Sequence, residues 1–93
     1  MIQSYRDRRA RSIAERTLVR GLGTEVQRAA LRKLIALDVA ETLEELRFPP
    51  GNRLEALRGD RTGQHSIRIN DQWRLCFEWR DGNAFNVEIV DYH

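Results

Sequence analysis

The sequence predicts an α+β domain in which N-terminal helices pack on one face of a small, antiparallel-rich β-sheet. Three observations carry that reading. Apolar residues recur at helical spacing as far as Leu46, Phe48-Pro49-Pro50-Gly51 interrupts the pattern, and from Arg53 onward apolar and polar residues alternate.

The helical half opens with Ile2 to Tyr5, which reads as a short strand. Asp7 is placed to cap a helix over roughly Arg8 to Leu18, with Ala10, Ile13, Ala14 and Leu18 on one face and Gly21 and Gly23 ending it. Thr24 begins a second helix, and Gln27 stands three positions later as in a capping box. Val26, Ala30, Leu34 and Leu37 form its apolar stripe. Asp38 and Glu41 resemble a further cap, starting a short helix through Val39, Leu43 and Leu46. Proline at 49 and 50 stops it, since proline lacks the donor and restricts the residue before it.

In the second half Arg53 to Leu57 reads as a strand, and Gly59-Asp60-Arg61-Thr62-Gly63 as a loop. His65 to Ile69 alternates, with Ile67 and Ile69 opposite Ser66 and Arg68. After Asn70-Asp71-Gln72, the residues Trp73, Leu75, Phe77 and Trp79 alternate with Arg74, Cys76, Glu78 and Arg80, the clearest amphipathic strand in the chain. Asp81-Gly82 is a hairpin signal because glycine readily takes a positive φ. Phe85, Val87 and Ile89 complete the last strand, which runs into Asp91-Tyr92-His93.

Length and composition bound the function. The 93 residues are expected to form one domain over 1–93. No apolar run approaches the roughly 20 residues that span a bilayer, and the N-terminus has no stretch of signal-peptide character. The single cysteine, Cys76, fits a reducing compartment, so a cytoplasmic protein without membrane association is expected. Two histidines and one cysteine far apart in sequence give no metal-ligand spacing, and no glycine loop has phosphate-cradle spacing. Neither metal nor cofactor is expected. Sixteen basic residues include one lysine, Lys33; the arginine bias suits phosphate and base contacts, although a GC-rich genome produces the same bias.

If the apolar strand face meets the helices, the opposite face should be polar and solvent-exposed, carrying Ser66, Arg68, Arg74, Cys76 and Glu78. That surface is basic enough for a polyanion, although on these residues alone a plain solvated face is the simpler reading. His65, Trp73 and Trp79 share the apolar parity and are expected to be structural. The chain end adds chemistry. An RNA nuclease without metal needs a base near neutral pH for the 2′-hydroxyl proton, a cation for the phosphorane and an acid for the leaving oxygen. A histidine ending a well-patterned strand suits the first or last role, and arginine suits the cation.

Three segments taken in order, Gly51 to Arg61, Gln64 to Arg74 and Val87 to His93, closely resemble the HigB-type toxins of the RelE/ParE superfamily, and the likeness runs over nearly the whole chain. The resemblance implies a metal-independent endoribonuclease that cuts mRNA in the ribosomal decoding site. Its implied partner is a helix-turn-helix antitoxin of the HigA type, through which alone it would meet operator DNA. Matched by position, His93 and Tyr92 correspond to the catalytic C-terminal pair, Asp91 precedes them, and Arg74 is the phosphate or transition-state contact. Arg58, Arg61 and Arg68 are basic candidates for RNA or ribosome binding. One departure stands out: a branch of the family places a reacting histidine where this chain has Glu55, and a carboxylate of ordinary pKa about 4.3 is a weaker base. Two rivals therefore stay open. One is a ParE-like inhibitor of DNA gyrase, and the other a ribosome- or RNA-binding growth inhibitor whose cleavage is weak or lost.

Overall fold

Two helices lie on one face of an antiparallel sheet, as the change of period predicts. The structure, a computed structural model, describes residues 1–92. Helix α1 is Arg8–Ala14 and α2 is Thr24–Val39; strands β1 (Glu55–Ala56), β2 (Gln64–Arg68), β3 (Trp73–Arg80) and β4 (Asn83–Asp91) follow. The strands lie in sequence order, each antiparallel to the next. The N-terminal segment adds a parallel edge to β4, through bridges Ile2 to Ala84 and Tyr5 to Val87.

Several boundaries differ from expectation for local reasons. Asp7 caps α1 by accepting the Arg9 N–H at 2.9 Å, but the helix ends four residues earlier than predicted. Glu15 closes it, Arg16 takes φ 62°, and Leu18 is left exposed in the connecting loop. Gln27 forms no capping box with Thr24. Its amide instead plugs that loop, accepting from Val19 N at 2.9 Å and donating to the carbonyls of Val19 at 2.9 Å and Leu22 at 2.6 Å. A buried amide there satisfies backbone groups that a glycine-rich connection leaves without helical partners. Asp38 is still inside α2 and accepts from Ile2 N. The real capping box is Thr42 with Glu45, at the head of a 3-10 turn over Leu43–Arg47. Two backbone N–H groups bonded to the Glu45 carboxylate hold it below the usual range. The strand expected over 53 to 57 shrinks to two residues because Arg53 adopts a left-handed conformation.

The core lies between helices and sheet: Ala30, Leu34 and Leu37 of α2 and Ile13 of α1 meet Ile67, Leu75, Phe77, Val87 and Ile89. Asp81 (φ 51°) and Gly82 (φ 77°) both take the left-handed conformation of a tight hairpin, as the sequence predicts. Beyond the turn, Glu78 pairs with Phe85 but Cys76 pairs with Glu88, so Asn86 is an extra residue at φ 52°. The bulge moves Phe85 to the face opposite Val87 and Ile89, where the Arg80 guanidinium lies 4.2 Å from its ring. Simple alternation groups those three residues together; the bulge separates them.

Candidate active site on the polar sheet face

Pairing register decides which side chains meet on the face away from the helices. Glu55, Ser66, Cys76 and Glu88 stand opposite one another across all four strands, and Arg68, Arg74 and Val90 form the next row. Tyr92, two residues beyond Val90, continues on the same side. Its backbone N–H donates to the Gln72 carbonyl at 2.7 Å, so the strand pairing reaches the end of the described chain.

The face is not the open solvated surface that alternation suggests. Ser66 and Cys76 are fully buried, and Arg74 is only 6 % exposed. Long side chains and the chain entering β1 cover the middle rows. Burial raises the pKa of the Cys76 thiol, which favours its protonated form.

Arg74 is the centre of the arrangement. Its Nε donates to Ser66 Oγ at 2.8 Å, and its Nη2 to the Arg53 carbonyl at 2.6 Å and more weakly to the Ser66 carbonyl at 3.4 Å. The left-handed turn at Arg53 is what aims that carbonyl inward. Glu55 Oε2 stands 3.9 Å from Nη2, and the half-exposed Tyr92 ring lies 5.3 Å from the guanidinium carbon. Glu55, Arg74 and Tyr92, three of the residues singled out in the sequence, are thus brought together.

The other candidates are placed differently. Arg61 joins the cluster from the turn before β2, but its Nη1 is bound to Glu88 at 2.8 Å and to the Gln64 side chain at 3.0 Å. That pairing raises the Arg61 pKa and compensates its charge. Arg58 is exposed at the start of the Gly59–Arg61 turn, and Arg68 is paired with Asp71 at the strand end. Asp91 pairs opposite Trp73, and its carboxylate accepts from Gln72 Nε2 at 3.1 Å, so alternation puts it on the other side of the sheet from Tyr92. His93 lies outside the described residues.

Sequence reasoning missed Glu88 and the Arg53 carbonyl, and did not see Ser66 as a partner of Arg74. Alternation with Val87 and Ile89 already puts Glu88 on the polar face, but its ion pair with Arg61 depends on a turn outside the strands, and a carbonyl turned inward by a single left-handed residue leaves no compositional trace. Among the described residues, no group of three or more His, Cys, Asp or Glu side chains is arranged to hold a metal ion. No described helix is long and apolar enough to cross a membrane.

His65 falls on the core side, as expected, stacked on Phe77 with centroids 6.2 Å apart and with Nδ1 buried and unpartnered among the described residues. Burial lowers its pKa below the ordinary value of about 6.5. The unfolded chain therefore takes up this proton at a higher pH than the folded one. Stability from this site is complete above about pH 6.5 and is lost as pH falls through the depressed folded value. His65→Leu is expected to flatten the decline in urea-unfolding stability between about pH 7 and 5. An unchanged decline would remove His65 as its source.

Comparisons with known proteins follow the same outline. The fold is similar to that of YafQ from E. coli strain BL21(DE3), with a TM-score of 0.53 and 13 % identity over 94 % of this chain and 91 % of that one. Toxin HigB-1 of Vibrio cholerae is 48 % identical over 66 residues, covering 71 % of this chain and 70 % of its own length. Endoribonuclease HigB of Proteus vulgaris is 29 % identical over 93 residues, the full length of both. Residues 4–93 match the HigB-like toxin family model, described as the RelE-like toxin HigB of type II toxin-antitoxin systems. With helices on one side of the sheet, the buried Arg74 and its partners on the other, and a family match over residues 4–93, the chain belongs to the HigB-like family of type II toxins.

Proposed function

We propose that this toxin is an endoribonuclease that cuts mRNA in the ribosomal decoding site with its own side chains, without a metal ion, and is held silent by a HigA-type helix-turn-helix antitoxin. It would act in the cytoplasm and reach operator DNA only through that antitoxin. The observation that carries the nuclease reading is the Arg74 guanidinium, held by neutral oxygens beside Glu55 and Tyr92. The full-length likeness to a protein named Endoribonuclease HigB supports it.

The reaction such a site suits is transfer within the RNA strand. The 2′-oxygen attacks the adjacent phosphorus, its proton passes to a base, and the P–O5′ bond breaks as an acid protonates the leaving oxygen. A 2′,3′-cyclic phosphate and a 5′-hydroxyl result. Arg74 faces the charge that grows on the non-bridging oxygens. His93 is assigned the principal acid/base role because imidazole titrates near neutrality, with Glu55 as the second proton-transfer group. Tyr92 offers a half-exposed ring for base stacking, beside the guanidinium. Asp91 fixes the strand end through Gln72. Arg58 and Arg68 meet RNA or ribosomal phosphates at the rim, and Arg61, already bound to Glu88, adds a fixed and partly compensated charge.

Mapping of mRNA 5′ ends in cells briefly expressing the parent or His93→Gln tests this. Codon-registered cuts with the parent and none with the variant are expected. Growth arrest by the parent without cuts would overturn the nuclease reading in favour of an inhibitor acting by binding.

A further inference from the structure

We infer that Ser66 is the positioning residue for Arg74, fixing the guanidinium so that its charge is aimed at the scissile phosphate before RNA arrives. The inference rests on the assignment of Arg74 to that phosphate and extends it to a residue with no proton-transfer chemistry of its own.

Arginine carries five N–H donors in a rigid planar fork. Here one edge of the fork is occupied: Nε by Ser66 Oγ at 2.8 Å, and Nη2 by the Arg53 carbonyl at 2.6 Å. Nη1 makes no hydrogen bond among the described residues. Two short bonds to different atoms of a planar group set its tilt and rotation, and the Tyr92 ring closes one side. Ser66 is itself completely buried in β2, between β1 and β3, so its hydroxyl does not wander.

The chemistry of these acceptors matters as much as their geometry. Hydroxyl and carbonyl oxygens orient a guanidinium without neutralising it, whereas a carboxylate at the same distance does both. Arg61 shows the second case, 2.8 Å from Glu88. Arg74 shows the first, since Glu55 is 3.9 Å from Nη2 and half exposed. A flexible arginine would lose rotamer freedom on meeting its ligand. In this cradle that loss falls on folding and not on the reaction, which is the condition for electrostatic preorganisation. A serine at 66 is short enough to stay buried and supplies one oxygen at the height of Nε. Alanine there would leave Nε without its acceptor and the fork held by the carbonyls alone.

The test uses the full chain with ribosome-bound mRNA, together with ¹⁵N NMR of the Arg74 Nε–H. Ser66→Ala is expected to fold with a lowered Tm, since the buried Nε–H loses its acceptor, to lower kcat about tenfold with KM within threefold at a temperature where it is folded, and to speed Nε–H exchange with solvent. Ser66→Thr, which restores a hydroxyl, should recover both the rate and the slow exchange. A folded Ser66→Ala that cuts at the parental rate overturns the inference. So does a slow variant whose Nε–H exchange is unchanged, because Ser66 would then act through packing, and so does a loss confined to KM. A parent that cuts no mRNA overturns the nuclease reading instead, and the exchange measurement still decides whether Ser66 holds Arg74.

Discussion

Arg74→Ala is expected to lower the single-turnover rate of mRNA cleavage by 10²- to 10³-fold, about 2.7–4 kcal/mol of transition-state stabilisation, with little change in ribosome binding. The expectation follows from where its donors point. One edge of the fork is committed to Ser66 and Arg53, and those bonds are the same in ground and transition states. Only the remaining edge can respond to charge developing on the phosphorane, so its loss appears in kcat. Arg74→Lys should recover little, because an ammonium cannot span Ser66 Oγ and the Arg53 carbonyl while also facing a ligand. The fold should tolerate the alanine. Removing a buried cation relieves its desolvation, which offsets the two orphaned acceptors to within roughly 1–2 kcal/mol. Cleavage by a folded Arg74→Ala protein at the parental rate would displace Arg74 from the reaction. Thermal unfolding of the same preparation separates that result from a folding defect.

The two periodicities made the layer arrangement legible, and they did so because burial enforces them. Val87 and Ile89 of β4, Leu75 and Phe77 of β3 and Ala30, Leu34 and Leu37 of α2 all enter one core, so each had to be apolar at its own spacing. Irregular positions were not legible. Nothing in the composition around Asn86 announces a bulge, yet that residue decides that Phe85 leaves the core side and that Glu88 faces Cys76. The end of α1 was lost for a related reason: Glu15 and Arg16 are ordinary helix formers, and the left-handed turn at Arg16 is closed by backbone bonds from Arg16 N to Ile13 O and from Thr17 N to Ser12 O that leave no compositional trace. At the candidate site, alternation grouped Ser66, Arg74 and Cys76 correctly on one face but misjudged their exposure. Alternation reports parity, whereas coverage of a face depends on long side chains and on where the chain passes over it.

Phe77→Ala is expected to cost 3–5 kcal/mol of folding stability, the largest effect of any single truncation in the core. Phe77 is the largest of the fully buried side chains, and it stands where β3 crosses beneath the helices, between His65 on one side and Trp79 on the other. Its position opposite the bulge makes the site hard to refill. Asn86 is held at φ 52° by its own bond to Glu78 and by Ser4, so β4 cannot slide inward to close the cavity. Small domains hold roughly 5–15 kcal/mol in all, so a substantial fraction would be lost, seen as a fall in Tm of at least about 12 °C. The variant should also lose toxicity in cells, with no contact to RNA altered, because a larger unfolded fraction is removed by proteolysis. Purified at a temperature where it remains folded, it should still cut at close to the parental rate, since Arg74, Ser66 and Glu55 lie on the opposite face of the sheet. A Phe77→Ala protein that unfolds within 1 kcal/mol of the parent would mean that the sheet relaxes around the bulge after all, and that the polar face is less rigid than its hydrogen bonds imply.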